Sequence, residues 1–184
     1  MNNLEIVIVP ENNLKQWQKH AIDRLNRKCF SHVAPEEAEE CFCAESFARA
    51  FAHCNGEIVG HLKLFKRNIE YDGKKITLGG IGGVCVTENT RRKGIATKMI
   101  RESLKILRKK KCDVACLNAD LSRNAHKFYE KVGFTLMNRK ISFEDKHGNT
   151  RYDEGTMFIP ICSKQIYQHI MNSDKTFHYG KGYW

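Results

Sequence analysis

The pattern of hydrophobic and polar positions divides the chain into a first part dominated by strands and a second part in which strands and helices alternate. An apolar run at residues 4–9 is typical of a short strand. Helical segments are expected within residues 11–43, where Pro35 and the acidic residues that follow it indicate the start of a second helix.

Three strands of an antiparallel meander are expected next, at residues 47–54, 57–70 and 75–87. The connections are Asn55-Gly56 and Asp72-Gly73, and such dipeptides favour tight hairpin turns because both positions tolerate a positive φ. Consecutive hairpins of this kind place neighbouring strands side by side in one sheet.

Helices and strands alternate in the rest of the chain. We expect a helix at residues 90–111, a strand at 113–118, a helix at 122–132, and strands at 134–144 and 156–162 around a turn at 147–149. Gly133 suits a left-handed position at the end of the second helix. Residues 163–184 are a polar and aromatic tail. The order of elements predicts an α+β fold with a mixed central sheet flanked by helices, in one domain covering residues 1–184.

The composition is that of an ordinary globular protein. Of 184 residues, 41% are hydrophobic and 28% are charged, and no apolar run approaches the roughly 20 residues that cross a bilayer. The first ten residues lack the basic flank and the length of a secretory signal, so we expect a cytoplasmic protein without membrane contact.

Eight cysteines raise the question of a disulfide or zinc framework. None belongs to a C-x-x-C pair, the usual spacing of structural zinc ligands, and no metal site is predicted. Cys85, Cys116 and Cys162 lie in apolar, strand-like surroundings, where a thiol behaves as a small hydrophobic group. In a cytoplasmic protein we expect the cysteines to be reduced.

The formal net charge of +10 indicates attraction to a polyanion, either a phosphorylated cofactor or a nucleic acid. The densest basic run, residues 108–111, lies at the end of a predicted helix, where cations favour the negative end of the helix dipole. This run has no interleaved aromatic residues, and no known nucleic-acid-binding motif is present. Nucleic acid is therefore the less favoured partner.

The strongest chemical signal is a strand followed by a basic turn. The strand ends with Val84-Cys85-Val86, and the run Arg91-Arg92-Lys93-Gly94-Ile95-Ala96 opens the next helix. Free amides at a helix N-terminus hold phosphate oxygens, and the three basic side chains surround that point. Gly94 allows the backbone to approach a pyrophosphate closely. The Walker motif and the dinucleotide-binding glycine motif are absent, so neither class of nucleotide is favoured.

Two motifs together resemble the signatures of the GNAT acetyltransferases. They are Arg91-x-x-Gly94-x-Ala96 and, after the next strand, the run NAHKFYEKVGF at residues 124–134. The resemblance implies acetyl-CoA as the cofactor, with its pyrophosphate on the turn at 91–96 and its pantetheine arm along residues 84–86 and Asn124. It also implies that Tyr129 lies near the cofactor's sulfur. The alternative for Tyr129 is a core aromatic, because it shares one helix face with apolar neighbours.

The implied chemistry suits these residues. In such an enzyme an amine attacks the thioester carbonyl and a thiolate leaves, and Tyr129, with an ordinary pKa of about 10, is the candidate acid for that thiolate. Backbone amides near Gly83 and Cys85 can polarise the thioester oxygen. The glycines at 79, 80, 82 and 83 indicate a bulge, the close approach of a ligand, or simply an irregular strand. Gly82 and Gly83 are candidate contacts of the substrate.

The resemblance extends to one branch of the family, the aminoglycoside 2′-N-acetyltransferases. It is carried by the run DEGTMFIPI at residues 153–161 and by the final Tyr183-Trp184. In that branch acidic residues and the terminal carboxylate receive a polycationic sugar. The resemblance therefore implies that Asp153, Glu154 and Trp184 bind the acceptor amine, with Asp153 and Trp184 as candidate catalytic groups.

The chain departs from that branch at four acidic positions, which here are Gly82, Gly182, Val33 and Ala38. Each ammonium of a polycation needs a carboxylate partner when it leaves water, so the missing acids weaken the case for an aminoglycoside. The net charge of +10 also opposes long-range attraction of a polycation.

Several functions stay open at this point. The first is an enzyme that acetylates a small primary amine, with an aminoglycoside among the candidates. The second is a peptide or protein N-acetyltransferase, and the third is a module that binds acyl-CoA or nucleic acid without turnover. The general base is left open among Asp153, Glu154, the Trp184 carboxylate and a water relay from Asp120. A homodimer is also left open.

Overall fold

In residues 3–184, the part of the chain that this computed structural model describes, five α-helices and ten strands are formed. Met1 and Asn2, where the predicted domain begins, lie outside the described residues. The helices are α1 (Gln16–Cys29), α2 (Pro35–Cys41), α3 (Ile95–Lys109), α4 (His126–Val132) and α5 (Lys164–Asn172). The strands are β1 (Leu4–Pro10), β2 (Ala48–Cys54), β3 (Glu57–Tyr71), β4 (Lys74–Val86), β5 (Val114–Asn118), β6 (Thr135–Leu136), β7 (Ile141–Glu144), β8 (Thr150–Asp153), β9 (Thr156–Pro160) and β10 (Phe177–Lys181).

Seven strands form one mixed sheet in the order β1-β2-β3-β4-β5-β9-β6. The first four are antiparallel neighbours, β4 and β5 are parallel, and β9 runs antiparallel to both β5 and β6. A second sheet of three strands has the order β10-β7-β8. The predicted α+β class with a mixed central sheet is confirmed.

The two hairpin turns of the meander have the predicted geometry. Asn55 and Gly56 have φ values of 51° and 84°, and Asp72 and Gly73 have values of 47° and 73°. Two consecutive residues with positive φ define the type I′ turn, whose twist matches that of the flanking strands. Local chemistry therefore fixes the β2–β3 and β3–β4 pairings.

Different elements cover the two faces of the large sheet. On one face α3 packs through Met99 and Leu107 against Leu62 and Leu64 of β3. On the other face, α1 covers one part of the sheet. The second sheet and the end of the chain cover another part, where Trp184 belongs to a buried hydrophobic cluster shared by the two sheets. On the face opposite α3, a region next to β4 therefore lies between the part covered by α1 and the part covered by the chain end.

The structure corrects the prediction for the last third of the chain. The single strand expected at residues 134–144 is wrong, because β6 belongs to the large sheet whereas β7 pairs with β8 and β10 in the second sheet. The expected tail at 163–184 contains α5 and β10. These short elements are held by partners distant in sequence, and the local spacing of hydrophobic residues carries no information about such partners.

None of the helices within the described residues has the length and apolar character that a membrane-spanning helix needs.

The prediction that all cysteines are reduced is wrong for one pair. Cys29, the last residue of α1, forms a disulfide with Cys85 of β4, and their Cα atoms are 6.0 Å apart. The bond joins residues separated by 56 positions, which meet only because α1 packs on this face of the sheet. Elsewhere in residues 3–184 the cysteines are free thiols.

Removing this disulfide is expected to destabilise the protein. Closing a long loop in the unfolded chain reduces its entropy, so the double variant Cys29→Ala, Cys85→Ala should lose about 2–4 kcal/mol of unfolding free energy in urea denaturation. A reductant should lower the stability of the wild type and leave that of the double variant unchanged. Cys162→Ala, at an exposed free thiol, is the control. Equal stability of reduced and oxidised wild type would show that the bond does not form in solution.

Candidate active site

The site begins where β4 and β5 separate. The two parallel strands pair only from Leu78 to Gly80 and from Val114 to Cys116. Beyond those residues β4 continues to Val86 and β5 to Asn118 without pairing to each other, while β4 stays paired with β3 and β5 with β9. Unpaired backbone amides and carbonyls along this edge of β4 need partners, and an extended ligand can supply them. This separation of the two strands leaves an opening at this edge of β4.

A bulge lies in β4 beside this opening. His61 of β3 pairs with Cys85, but Lys63 pairs with Gly82, so two residues of β4 are opposite Leu62 alone. Gly83 has a φ of 58°, a conformation that favours glycine. A bulge re-aims the backbone groups around it, which explains the glycine at this position. The bulge expected from the glycine cluster is confirmed.

The basic turn lies directly after β4. Helix α3 begins at Ile95, later than predicted, and its N-cap Gly94 has a φ of 77° with no side-chain cap. The first helical hydrogen bond runs from the Lys98 amide to the Gly94 carbonyl, at 3.0 Å. The amides of residues 95–97 therefore point out of the helix without an intrahelical partner. No atom of the described residues lies within 4 Å of where a Gly94 side chain would begin, so the space in front of these amides is open.

Cationic side chains surround that open space. Arg91, Arg92 and Lys93 are all exposed. The Arg91 Nε donates a hydrogen bond of 3.1 Å to the Val86 carbonyl, which ties the turn to the end of β4. By contrast, the side chains of Cys85 and Ile95 are buried, so these two predicted cofactor contacts have only backbone groups to offer.

Tyr129 lies on α4, on the same side of the sheet as α3. It is half-buried, and its ring packs against Phe128 and Phe134 at centroid distances of 5.0 and 6.3 Å. Burial raises the pKa of the Tyr129 hydroxyl to about 12, which keeps it protonated at neutral pH. The left-handed C-cap predicted at Gly133 is confirmed, with a φ of 109°. The helix starts only at residue 126, and Asn124 precedes it as an exposed turn residue with a φ of 55°.

A hydrogen-bonded group of side chains lies on the β5 side of the opening. The Asp153 carboxylate accepts hydrogen bonds from the Tyr183 hydroxyl at 2.5 Å and from the Asn118 amide at 3.1 Å. The Thr156 hydroxyl donates to the Asn118 carbonyl at 3.1 Å, which orients that amide. Burial, and then the neighbouring Asp153 charge, raise the pKa of Tyr183 well above its ordinary range, so Tyr183 stays a donor. Asp153 is thereby fixed beside the end of β5.

The other candidate bases are placed less favourably. Asp120 is exposed, and its carboxylate accepts hydrogen bonds from Ser122 and the Arg123 amide. The hydrogen bond from the Ser122 hydroxyl is the main cause of a lowered Asp120 pKa, which makes this carboxylate a weaker base. Glu154 is exposed and lies 3.7 Å from the Lys140 ammonium.

The chain end packs against β4. The Trp184 ring stacks on Phe65 at a centroid distance of 4.9 Å and an angle of 11°. A side chain at Gly80 would begin 2.4 Å from the Trp184 ring, and one at Gly82 would begin 3.0 Å from the Trp184 backbone. Both glycines therefore make room for Trp184. Gly82, a predicted substrate contact, is buried beneath Trp184.

Asn118 and Lys63 are two residues of this site that were not predicted from the sequence. A polar residue at the carboxyl end of an apolar strand was the available signal for Asn118, since ligands often bind at that end of a strand. Lys63 carried no such signal, because a lysine within a meander strand is usually a solvated side chain.

Comparison with known proteins adds a family match and a set of similar folds. Residues 13–137, more than half of the chain, match the family described as the acetyltransferase (GNAT) domain. Eis1 from Mycobacterium abscessus is 14% identical, with a TM-score of 0.58 over 76% of this chain and 32% of Eis1. The chain spans about a third of the length of Eis1 and of two further structures that it resembles, where it covers 36% and 34%.

Two similar structures are close to this chain in length. The aminoglycoside acetyltransferase meta-AAC0020 from an uncultured soil metagenomic sample, solved with trehalose, is 24% identical, with a TM-score of 0.56 over 72% of this chain and 88% of that one. A mutant of the toxin AtaT, bound to the C-terminus of the antitoxin AtaR and to acetyl-CoA, is 13% identical, with a TM-score of 0.55 over 94% of this chain and 100% of that one. At these identities the likeness establishes a shared fold.

Proposed function

Because the chain belongs to the GNAT acetyltransferase family, we propose that it transfers the acetyl group of acetyl-CoA to a primary amine. One observation carries the proposal. The uncapped start of α3 at Gly94 follows directly on the unpaired edge of β4, so phosphate-binding amides and a strand edge for an extended ligand lie along one path.

The residues of this path fit the parts of the cofactor. The amides of residues 95–97 face open space at a positive helix end and would hold the pyrophosphate, with Arg92 and Lys93 as charged neighbours. The backbone of Val84, Cys85 and Val86 would pair with the pantetheine arm, as a neighbouring strand would. Exposed Asn124 and the side chain of Arg91 complete the proposed contacts.

Acetyl-CoA supplies an activated acetyl thioester, and the protein has to move two protons around it. The acceptor ammonium must lose a proton, and Asp153 is the best-placed carboxylate, because Tyr183 and Asn118 fix its position beside the opening. The departing thiolate must be stabilised, and Tyr129 is a protonated donor on the α3 side. Backbone amides around the Gly83 bulge are the proposed donors to the thioester oxygen.

An aminoglycoside 2′-amine is the more specific candidate for the acceptor. Its support is the Asp153-Glu154 strand end, the burial of Tyr183 and Trp184 with the Tyr183 hydroxyl donating to Asp153, and the likeness in fold to an aminoglycoside acetyltransferase. Gly182 weakens it, because its φ is 75° and a side chain there would begin 2.4 Å from the Ala44 amide nitrogen. No acidic side chain can occupy that position in this fold.

Thiol release from acetyl-CoA tests the proposal. The full chain is incubated with acetyl-CoA and a panel of primary amines that includes aminoglycosides with and without a free 2′-amine. We expect amine-dependent release of free thiol, together with a product heavier by one acetyl group. Turnover restricted to aminoglycosides with a free 2′-amine would support the specific candidate. The absence of both acetyl-CoA binding and thiol release would contradict the proposal.

A further inference from the structure

Two basic residues lie side by side on the sheet face opposite α3. Arg49 of β2 pairs with Lys63 of β3, and Lys63 in turn pairs with Gly82 of β4. The Lys63 side chain runs along the bulge, with its Cγ and Cδ 3.9 and 4.0 Å from where a side chain at Gly83 would begin. Lys63 therefore stands on the sheet next to the proposed thioester position.

The charges of this pair are only partly balanced. Arg49 is 9% exposed and pairs with Glu11 through Nε at 3.0 Å and Nη2 at 2.9 Å. The Ser46 hydroxyl also donates to Glu11, at 2.9 Å. The remaining Arg49 nitrogen, Nη1, is buried without a hydrogen-bond partner. A buried donor without a partner is unfavourable, so this atom indicates a missing acceptor.

Lys63 adds a second cation to the same place. It is half-buried, and within the described residues no Asp or Glu carboxylate lies within 4.0 Å of its ammonium. Desolvation and the neighbouring Arg49 charge lower the pKa of Lys63. The nearby His61 adds no charge, because burial lowers its pKa to about 3 and its Nε2 lies 3.0 Å from Asn26 Oδ1. The side chains of Arg49, Lys63 and Glu11 together carry two positive charges and one negative charge.

The cofactor's phosphates are not the missing partner. They are assigned to the turn at 91–96, at the start of α3, whereas Lys63 lies on the opposite face of the sheet, in line with Phe65 and His61. Lys63 lies beside the bulge at Gly83, whose amides are the proposed donors to the thioester oxygen, so an anion held by Lys63 is next to the proposed reaction position. An anion bound by Lys63 is therefore part of the acceptor.

We propose that the acceptor is a primary amine that also carries a carboxylate or another anionic group, which Lys63 binds together with Arg49. This inference rests on the proposed acetyl transfer, names the class of its acceptor, and disfavours the polycationic aminoglycoside. A charge-assisted hydrogen bond in a half-buried site favours the anion over a neutral group by about tenfold or more. A second ammonium at the same place is repelled, so a diamine is the poorest acceptor.

The test is a matched series of straight-chain primary amines that end in a carboxylate, a carboxamide, a methyl group or a second amine. Thiol release from acetyl-CoA gives kcat/KM for each. We expect the carboxylate to exceed the carboxamide by about tenfold or more, and the diamine to be lowest. In Lys63→Met the ratio of carboxylate to carboxamide should fall towards one, and Lys63→Arg should restore most of it.

Lys66→Met is the control, because Lys66 is an exposed lysine of the same strand and should leave the ratio unchanged. A ratio near one in the wild type overturns the proposal, as does a ratio that Lys63→Met does not alter.

If none of these amines is acetylated, calorimetry decides whether Lys63 forms an anion-binding site. The carboxylate-bearing amine is titrated into the full chain saturated with coenzyme A. Binding that is lost in Lys63→Met supports the anion site, and absence of binding to the wild type overturns it. Failure of the proposed acetyl transfer itself is distinguishable, because it appears as loss of acetyl-CoA binding in the same instrument.

Discussion

Replacing Gly94 by aspartate is expected to weaken acetyl-CoA binding on the order of 100-fold or more, while the protein stays folded. The side chain would enter the open space in front of the α3 amides, where it adds a negative charge to the place assigned to the pyrophosphate. It would also accept hydrogen bonds from those amides and so occupy the donors that the phosphates need. Calorimetric titration with acetyl-CoA measures the loss.

Gly94→Asn is the matched control for this prediction. Asparagine has nearly the same shape, tolerates positive φ about as well as aspartate, and carries no charge. The melting temperatures of the two variants should be close to each other, because no neighbouring atom restricts a side chain at residue 94. We expect the asparagine variant to bind acetyl-CoA clearly better than the aspartate variant. Equal affinity in both variants and the wild type would remove the turn from the binding site.

Replacing Tyr129 by phenylalanine should lower kcat by on the order of 100-fold and leave the acetyl-CoA Kd nearly unchanged. The ring contacts with Phe128 and Phe134 are kept, so only the hydroxyl is lost. Tyr152→Phe is the control, because Tyr152 is an exposed tyrosine with no proposed role in the reaction. A kcat within a few-fold of the wild type would mean that Tyr129 is a packing residue and that water protonates the thiolate.

The raised pKa of the Tyr129 hydroxyl predicts its role in the reaction and the pH range in which it can fill that role. An aliphatic thiol has a pKa of about 8.5, so complete proton transfer from a phenol with a pKa of about 12 is unfavourable by about 5 kcal/mol. We therefore expect Tyr129 to act mainly by donating a hydrogen bond to the developing thiolate. Its acid form is required, so activity that depends on it is lost only as the pH rises through a pKa of about 12. A pH–rate profile should show no fall due to Tyr129 below a pH of about 10.

Local chemistry in the sequence determined much of this protein. Asn55-Gly56 and Asp72-Gly73 fixed two hairpins, Pro35 marked the start of α2, and Gly133 ended α4. These features depend on dihedral preferences of one or two residues, which the sequence states directly. The proposed phosphate turn at 91–96 is local in the same sense, because its strand, glycine and helix are consecutive in the chain.

Only the tertiary structure decided which distant segments meet. The disulfide joins Cys29 to Cys85, Trp184 packs on Gly80 and Gly82, and Arg49 stands beside Lys63. None of these contacts follows from a spacing, because each depends on how α1, the chain end and the meander fold onto one face of the sheet. For the same reason the glycines of β4 indicated a bulge, a close approach of a ligand or an irregular strand, but not that Gly80 and Gly82 make room for a tryptophan of the same chain. The spacing of hydrophobic residues determines which face of a helix or strand is buried. The partner that covers this face is set by the packing of the whole molecule.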